Sequence, residues 1–314
     1  MSFANRDHGS VAAELGSQSV LPSGTPARTP KVSVVLTTYK RAHILPATID
    51  SILTQTFRDF ELVICDDCSP DETEKVGREY ERADPRVRYR RTAKNIGMPG
   101  NLNAGILASS GDYIANLHDG DLYEPTLIEK WCAALVACPR AAFVFNAYRA
   151  IDGNGKTVRI YREPLGLCAP GSQLLEEIFF RRWMFDSPVW GTVMGRRSAY
   201  LSAGLFDPRF GFVADVDMWL RLAEDYDVAY IGEPLIGLPS IETVPKSWEA
   251  VVTHKQMRKQ LERMFREARV RHYQGRRGRL MLELARHQSF VLAVRAFHAA
   301  CRVKAQARRV LGQR

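Results

Sequence analysis

The sequence has no run of apolar residues near the ~18 that a membrane-spanning helix needs. Close to the C-terminus, Phe290 to Val294 stops at Arg295, and near the N-terminus Val11 to Ala13 is cut short by Glu14. Neither an anchor nor a secretory signal core is therefore expected, and a cytoplasmic location follows as the expectation. Cysteine is scarce, at six in 314 residues. Cys65 and Cys68 have C-x-x-C spacing, but Cys132, Cys138, Cys168 and Cys301 supply no second pair to match. That argues against a zinc ribbon or a disulfide framework, and for separate, partly buried thiols in a reducing compartment. Internal repeats are absent. Acidic residues are missing from one end: Val251 to Arg314 holds 17 Lys and Arg against 3 Asp and Glu, leaving 27 basic and 32 acidic residues before it. The formal net charge of +9 thus belongs to a C-terminal segment suited to an anionic partner, either a membrane surface or nucleic acid.

What is present is globular. Apolar residues make up 46% and charged residues 25% of the chain, which excludes wholesale disorder. In residues 1–30, 17 are Ser, Gly, Pro, Thr or Ala, and a flexible leader is expected there. From Val32 a β-branched run to Leu36 reads as a buried parallel strand. Ile44, Leu45, Ile49, Ile52 and Leu53 then fall at helical spacing, and Phe60 to Cys65 reads as a second strand. Asp71 to Ala83 predicts a helix, Val87 to Tyr89 a strand, the stretch after Pro99 a helix and Tyr113 to Leu117 a strand. Pro125 opens a helix to Ala137, both prolines suiting a first turn. This alternation predicts an α/β fold with a doubly wound, mostly parallel sheet and ligands at the carboxyl ends of its strands. After Ala141 the rhythm changes: Asp152-Gly-Asn-Gly-Lys156 signals a hairpin. Residues 172–182 and 216–226 read as helices, and Val189 to Met194 and Val228 to Ile231 as strands. The predicted organisation is a leader over 1–30, a domain over 31–245 with a mixed C-terminal half, and a basic amphipathic helical extension over 246–314.

Polar residues close each early strand: Thr37, Thr38 and Tyr39 after the first, Asp66 to Ser69 after the second, His118 to Asp121 after the fourth. Two carboxylate clusters at neighbouring strand ends repel each other unless a cation or a donor-rich ligand lies between them. Asp119 and Asp121 on a turn offer hard oxygen ligands with open positions, which suits Mg²⁺ or Mn²⁺ shared with a diphosphate. Further on, Asp215 sits at a predicted helix start, where a carboxylate can serve as a general base or simply as a cap. Asp217 and Arg221 have the i,i+4 spacing of an ion pair.

The string VSVVLTTYKR from Val32 to Arg41, DDCSPDET from Asp66 to Thr73, Asn95-Ile-Gly97, Asn103-Ala-Gly105, Gly111 to Ile114 and the Asp119/Asp121 pair occur in one order. Together they resemble family 2 glycosyltransferases of the GT-A fold over roughly residues 31–235. The resemblance implies an inverting, nucleotide-sugar-dependent and metal-dependent transferase working in cell-surface polysaccharide or glycolipid assembly. It places Thr37, Tyr39, Asp67, Asn95 and Asn103 around the nucleotide, with Tyr39 facing the base and Asp67 accepting from its imide nitrogen, which favours a UDP- or dTDP-linked donor. Asp119 and Asp121 would hold Mn²⁺ or Mg²⁺, and Asp215 would be the catalytic base. Two departures stand out: His118-Asp-Gly-Asp121 replaces the family's Asp-x-Asp-Asp, and Ala214 replaces the glutamate before the base. Trp190 is a candidate platform for an acceptor sugar and Asp217 a candidate acceptor contact. The plainer readings are a pocket wall for Trp190 and an Arg221 partner for Asp217.

Two other classes compete. A nucleotidyltransferase would carry a Gly-rich phosphate loop after the first strand, and Thr37 to Arg41 has none. A module gripping nucleic acid through the basic tail would bring an RNA-binding signature, and Gly275-Arg-Arg-Gly278 is as readily a turn. The acceptor would be a saccharide or a lipid-linked saccharide. Leu280, Leu284, Val291, Val294, Phe297 and Cys301 recur at helical spacing among arginines, so the tail could lie on an anionic leaflet or pack within the protein.

Overall fold

A computed structural model describes residues 31–178, 191–239 and 254–272. The parallel half follows the predicted alternation: β1 (Val32–Thr38), α1 (Leu45–Leu53), β2 (Phe60–Asp66), α2 (Thr73–Ala83), β3 (Val87–Arg91), α3 (Gly97–Ala108) and β4 (Tyr113–His118). Every residue of β1 and β2 is buried, as strands covered on both faces must be. Side chains alternate between two apolar layers: Val32, Val34 and Leu36 join Ile49, Ile64 and Trp131, while Val35 joins Val63, Phe143 and Trp219.

The second half is mixed. It comprises β5 (Leu122–Tyr123), α4 (Leu127–Ala137), β6 (Ala141–Ile151), β7 (Thr157–Tyr161), β8 (Cys168–Ala169), α5 (Gly171–Glu176), β9 (Val193–Arg196), α6 (Arg197–Ala203), a 3-10 turn (Pro208–Val213), α7 (Ala214–Asp225) and β10 (Asp227–Pro239). Among the described residues the strands form one sheet in the order β3-β2-β1-β4-β9-β6-β10-β5, with β7 beside β6 and β8 beside β10. Every antiparallel pairing among the described residues involves β5, β7, β8 or β9. The β6–β7 hairpin closes at Asp152 to Lys156, where the turn residues predicted it.

Several boundaries differ from the pattern reading. Pro125 lies in the turn two residues ahead of α4 rather than inside it. The strand predicted from Val189 begins at Val193, with Gly191 in a bend. Cys138 and Cys168 are joined as a disulfide with Cα atoms 5.6 Å apart, which corrects the expectation of separate thiols. The cause is tertiary: β8 pairs with β10 and brings Cys168 over the end of α4. Cys65 and Cys68 are free, and burial pushes the Cys65 thiol up to about 12.

The described part of the C-terminal extension is α8 (His254–His272). Leu261, Met264, Phe265 and Ala268 on it are buried in the same apolar layer as Phe210, Val216 and Trp219. Arg271 reaches Glu224 at 3.2 Å and lies 3.6 Å from Asp217, both on α7. This stretch of the amphipathic helix turns its stripe inward; Leu280 to Cys301 lie outside the described residues. Met264 is fully buried, so Met264→Ala is expected to lower stability by about 2–5 kcal/mol in urea unfolding. A loss under about 1 kcal/mol would mean that α8 is not part of the cooperative fold. No helix among the described residues is long and apolar enough to cross a membrane.

Candidate active site

The site assembles at the carboxyl edge of the parallel strands. The turns after β1 and β2 hold Lys40 at φ 58° and Cys68 at φ 60°, a left-handed geometry that costs non-glycine residues of order 1 kcal/mol or more and recurs at ligand sites. Thr37 is buried between Cys65 and His118 of the neighbouring strands. Tyr39 is exposed, with the Lys40 ammonium 5.0 Å from its ring centroid.

Asp66 and Asp67 divide their work. Asp66 is fully buried and accepts from the Tyr89 hydroxyl at 2.6 Å and the Ser69 amide at 2.9 Å, so it holds the fold. Asp67 accepts from the Ile96 amide at 2.7 Å and the Gly97 amide at 2.9 Å, the free donors at the start of α3. It thereby ties the end of β2 to the Asn95–Gly97 turn, where the exposed Asn95 side chain accepts weakly from Gly97. Asn103 is engaged within the protein. The resemblance implies a place near the ribose or diphosphate. Its amide instead donates to the Phe206 carbonyl at 2.8 Å and accepts from the Phe206 amide at 2.9 Å. Both ends of the buried side chain are engaged, and its role is to dock the segment leading to α7.

Asp119 and Asp121 flank Gly120, whose φ of +93° lets the turn close. Asp119 accepts from the Thr38 hydroxyl at 2.7 Å and Asp121 from the Thr192 hydroxyl at 3.0 Å. The Gly120 amide donates to the Thr48 hydroxyl at 3.0 Å. Burial holds the Asp119 carboxyl above the usual range against the opposing Thr38 bond. Burial, with the adjacent Asp119 charge adding to it, pushes Asp121 up to about 7. Two close carboxyls that resist ionisation together are the chemistry a divalent cation relieves, and their hard oxygens fit Mg²⁺ or Mn²⁺. Among the described residues no cluster of three or more His, Cys, Asp or Glu could hold a metal by itself, so a cation here would need further oxygens, such as those of a diphosphate. Burial lowers the His118 imidazole below its ordinary value. Tyr123, just after the turn, accepts from the His118 amide and donates to its carbonyl.

Asp215 occupies the first turn of α7. The capping position belongs to Val213 and has no side-chain bond, so Asp215 is not the cap. It is 8% exposed, accepts from the Val216 amide at 2.8 Å, and is pushed up to about 7 by burial. The helix ends at Asp225 and β10 starts at Asp227, level with the start of β6. At 12 residues α7 is about 18 Å long, and Asp215 lies at the end of it remote from the junction with β10. Asp217 is 1% exposed and bonded to Arg221 at 2.8 Å, the i,i+4 partner its spacing predicts. Trp190 lies outside the described residues. Thr38 stands among the strand-end polar residues, whereas nothing local in the sequence marks Thr48 or Thr192.

A model of the family described as Glycosyl transferase family 2 matches residues 33–202. EpsE of Bacillus subtilis (strain 168), named as a glycosyltransferase, is 30% identical over 203 residues, covering 62% of this chain and 68% of its own. Chondroitin synthase of Escherichia coli is 28% identical over 205 residues, and the match spans 28% of its length. A crystal structure of S. aureus TarS 1-349 in complex with UDP-GlcNAc superposes with a TM-score of 0.57 at 16% identity, over 76% of this chain and 66% of that one.

Proposed function

The chain belongs to glycosyl transferase family 2, and from that premise we propose that it is an inverting enzyme transferring a sugar from a UDP- or dTDP-linked donor to an acceptor hydroxyl. Polysaccharide or lipid-linked saccharide assembly is the setting we infer, in keeping with relatives such as chondroitin synthase. Peripheral contact of the Arg-rich residues after His272 with an anionic leaflet belongs to the same reading.

In this reading Thr37, Tyr39, Asp67 and Asn95 form the nucleotide subsite. Asp67 is already oriented by two amides and retains lone pairs for the imide N–H of uracil or thymine. Asp119 and Asp121 would hold Mn²⁺ or Mg²⁺, which when bound supplies charge stabilisation for the departing diphosphate. Asp215 takes the proton from the acceptor hydroxyl as it attacks the anomeric carbon. One base suffices for inversion, because no covalent sugar–enzyme bond forms. The observation that carries the reading is the buried Asp215 carboxyl in the first turn of α7, 8% exposed and accepting from the Val216 amide; burial pushes it up to about 7, the range a general base needs near neutral pH.

A panel of UDP-, dTDP- and GDP-sugars with Mn²⁺, scored by thermal shift, tests the donor. UDP- or dTDP-sugars are expected to stabilise the protein by about 2.7 kcal/mol at a hundredfold excess over Kd, and GDP-sugars much less. Equal shifts across the panel would overturn the assigned base preference.

A further inference from the structure

The Asp119–Asp121 turn is gripped by hydroxyls from separate elements. Thr38 and Thr48 approach from the β1–α1 side, and Thr192 comes from the opposite side, just ahead of β9. The antiparallel register of β9 on β4, with Val193 opposite Asn116, sets residue 192 beside the end of β4. Gly191 makes the approach close enough: a Cβ there would stand 2.1 Å from His118 Nε2. Thr192 is 9% exposed, and its hydroxyl meets Asp121 at Oδ2. The Tyr123 hydroxyl faces the same oxygen at 3.5 Å. Both hydroxyls therefore lie on the Oδ2 side of the carboxylate, with Thr192 the nearer donor.

We propose that Thr192 is a positioning residue for the divalent cation, holding Asp121 by Oδ2 so that Oδ1 is presented to the metal. The proposal rests on the reading of Asp119 and Asp121 as the cation site. A carboxylate fixed by a neighbouring hydroxyl meets a cation without first losing rotational freedom, and such supporting bonds are typically worth 10–100-fold in metal affinity. Thr192 would touch neither donor nor acceptor in this role. Its effect reaches the reaction only through Asp121.

The test is Mn²⁺ binding to the full chain, followed by the free-ion paramagnetic resonance signal, beside the Mn²⁺ dependence of transfer. Thr192→Val keeps the shape and removes the hydroxyl, and Thr192→Ala provides the same loss should the valine variant misfold. Either is expected to raise the Mn²⁺ Kd about tenfold or more, with Thr192→Ser returning it to within about threefold of wild type. The Mn²⁺ needed for half-maximal transfer should rise in parallel, while the rate at saturating Mn²⁺ recovers and metal-free UDP binding stays constant. Asp121→Asn serves as reference. If Asp121→Asn loses Mn²⁺ and the folded Thr192 variants bind it like wild type, the positioning role is overturned and the cation site stands. If Asp121→Asn also binds Mn²⁺ normally, both fall.

Discussion

Asp121→Ala and Asp119→Ala are each expected to reduce cation-dependent transfer by about 10³-fold, the scale set by removing a group that stabilises charge developing in the transition state. The fold should survive. Both lie on a turn, where Asp119 accepts from the Thr38 hydroxyl at 2.7 Å and Asp121 from the Thr192 hydroxyl at 3.0 Å. For Asp121 the direction of the stability effect can be worked out. Its folded carboxyl titrates at about 7, above the unfolded value near 4. It therefore contributes stability below about pH 4 that is lost as pH rises through 7. Removing it should leave the protein no less stable at pH 8, and Mn²⁺ should stabilise wild type there but not the variants. Transfer that persists in both variants, or in excess chelator, would remove these aspartates from the mechanism.

The second large effect is Asp215→Asn, expected to lower kcat by about 10²-fold or more with donor affinity nearly unchanged, because an amide keeps the shape but accepts no proton. The pH profile gives an independent readout. The active form is the carboxylate, and with the folded group at about 7 it is mostly protonated at pH 6 and mostly ionised at pH 8. For wild type, kcat/KM should climb about tenfold per pH unit below 7 and level off above it, whereas the asparagine variant should lose that slope. A variant that keeps both the rate and the slope would show that the proton goes elsewhere.

Chain-local signals carried much of this molecule. The run at Val32 to Leu36 and the alternation after it require a parallel sheet, because β-branched residues buried on both faces have no other common home. Strand-end polar residues marked the carboxyl edge as the candidate site for the same reason of topology. The resemblance was legible because its short motifs recur in a fixed order.

Other features depend on meetings that no local pattern encodes. Asn103 carries the residue type of a sugar-binding site, yet its amide closes on Phe206, 103 positions away. The i,i+4 spacing of Asp217 and Arg221 announced their pair, but not the approach of Arg271 from α8 on the other side. Cys138 and Cys168 became partners only when β8 found β10. Sequence periodicity determines which face of an element is apolar, and composition at strand ends determines where polar chemistry gathers, since both act over a few residues of one chain segment. Which hydroxyl reaches which carboxylate, and how far burial lifts Asp121 and Asp215 toward neutrality, is decided by packing between segments tens of residues apart. Desolvation is a property of everything surrounding a group, and only the assembled tertiary structure supplies those surroundings.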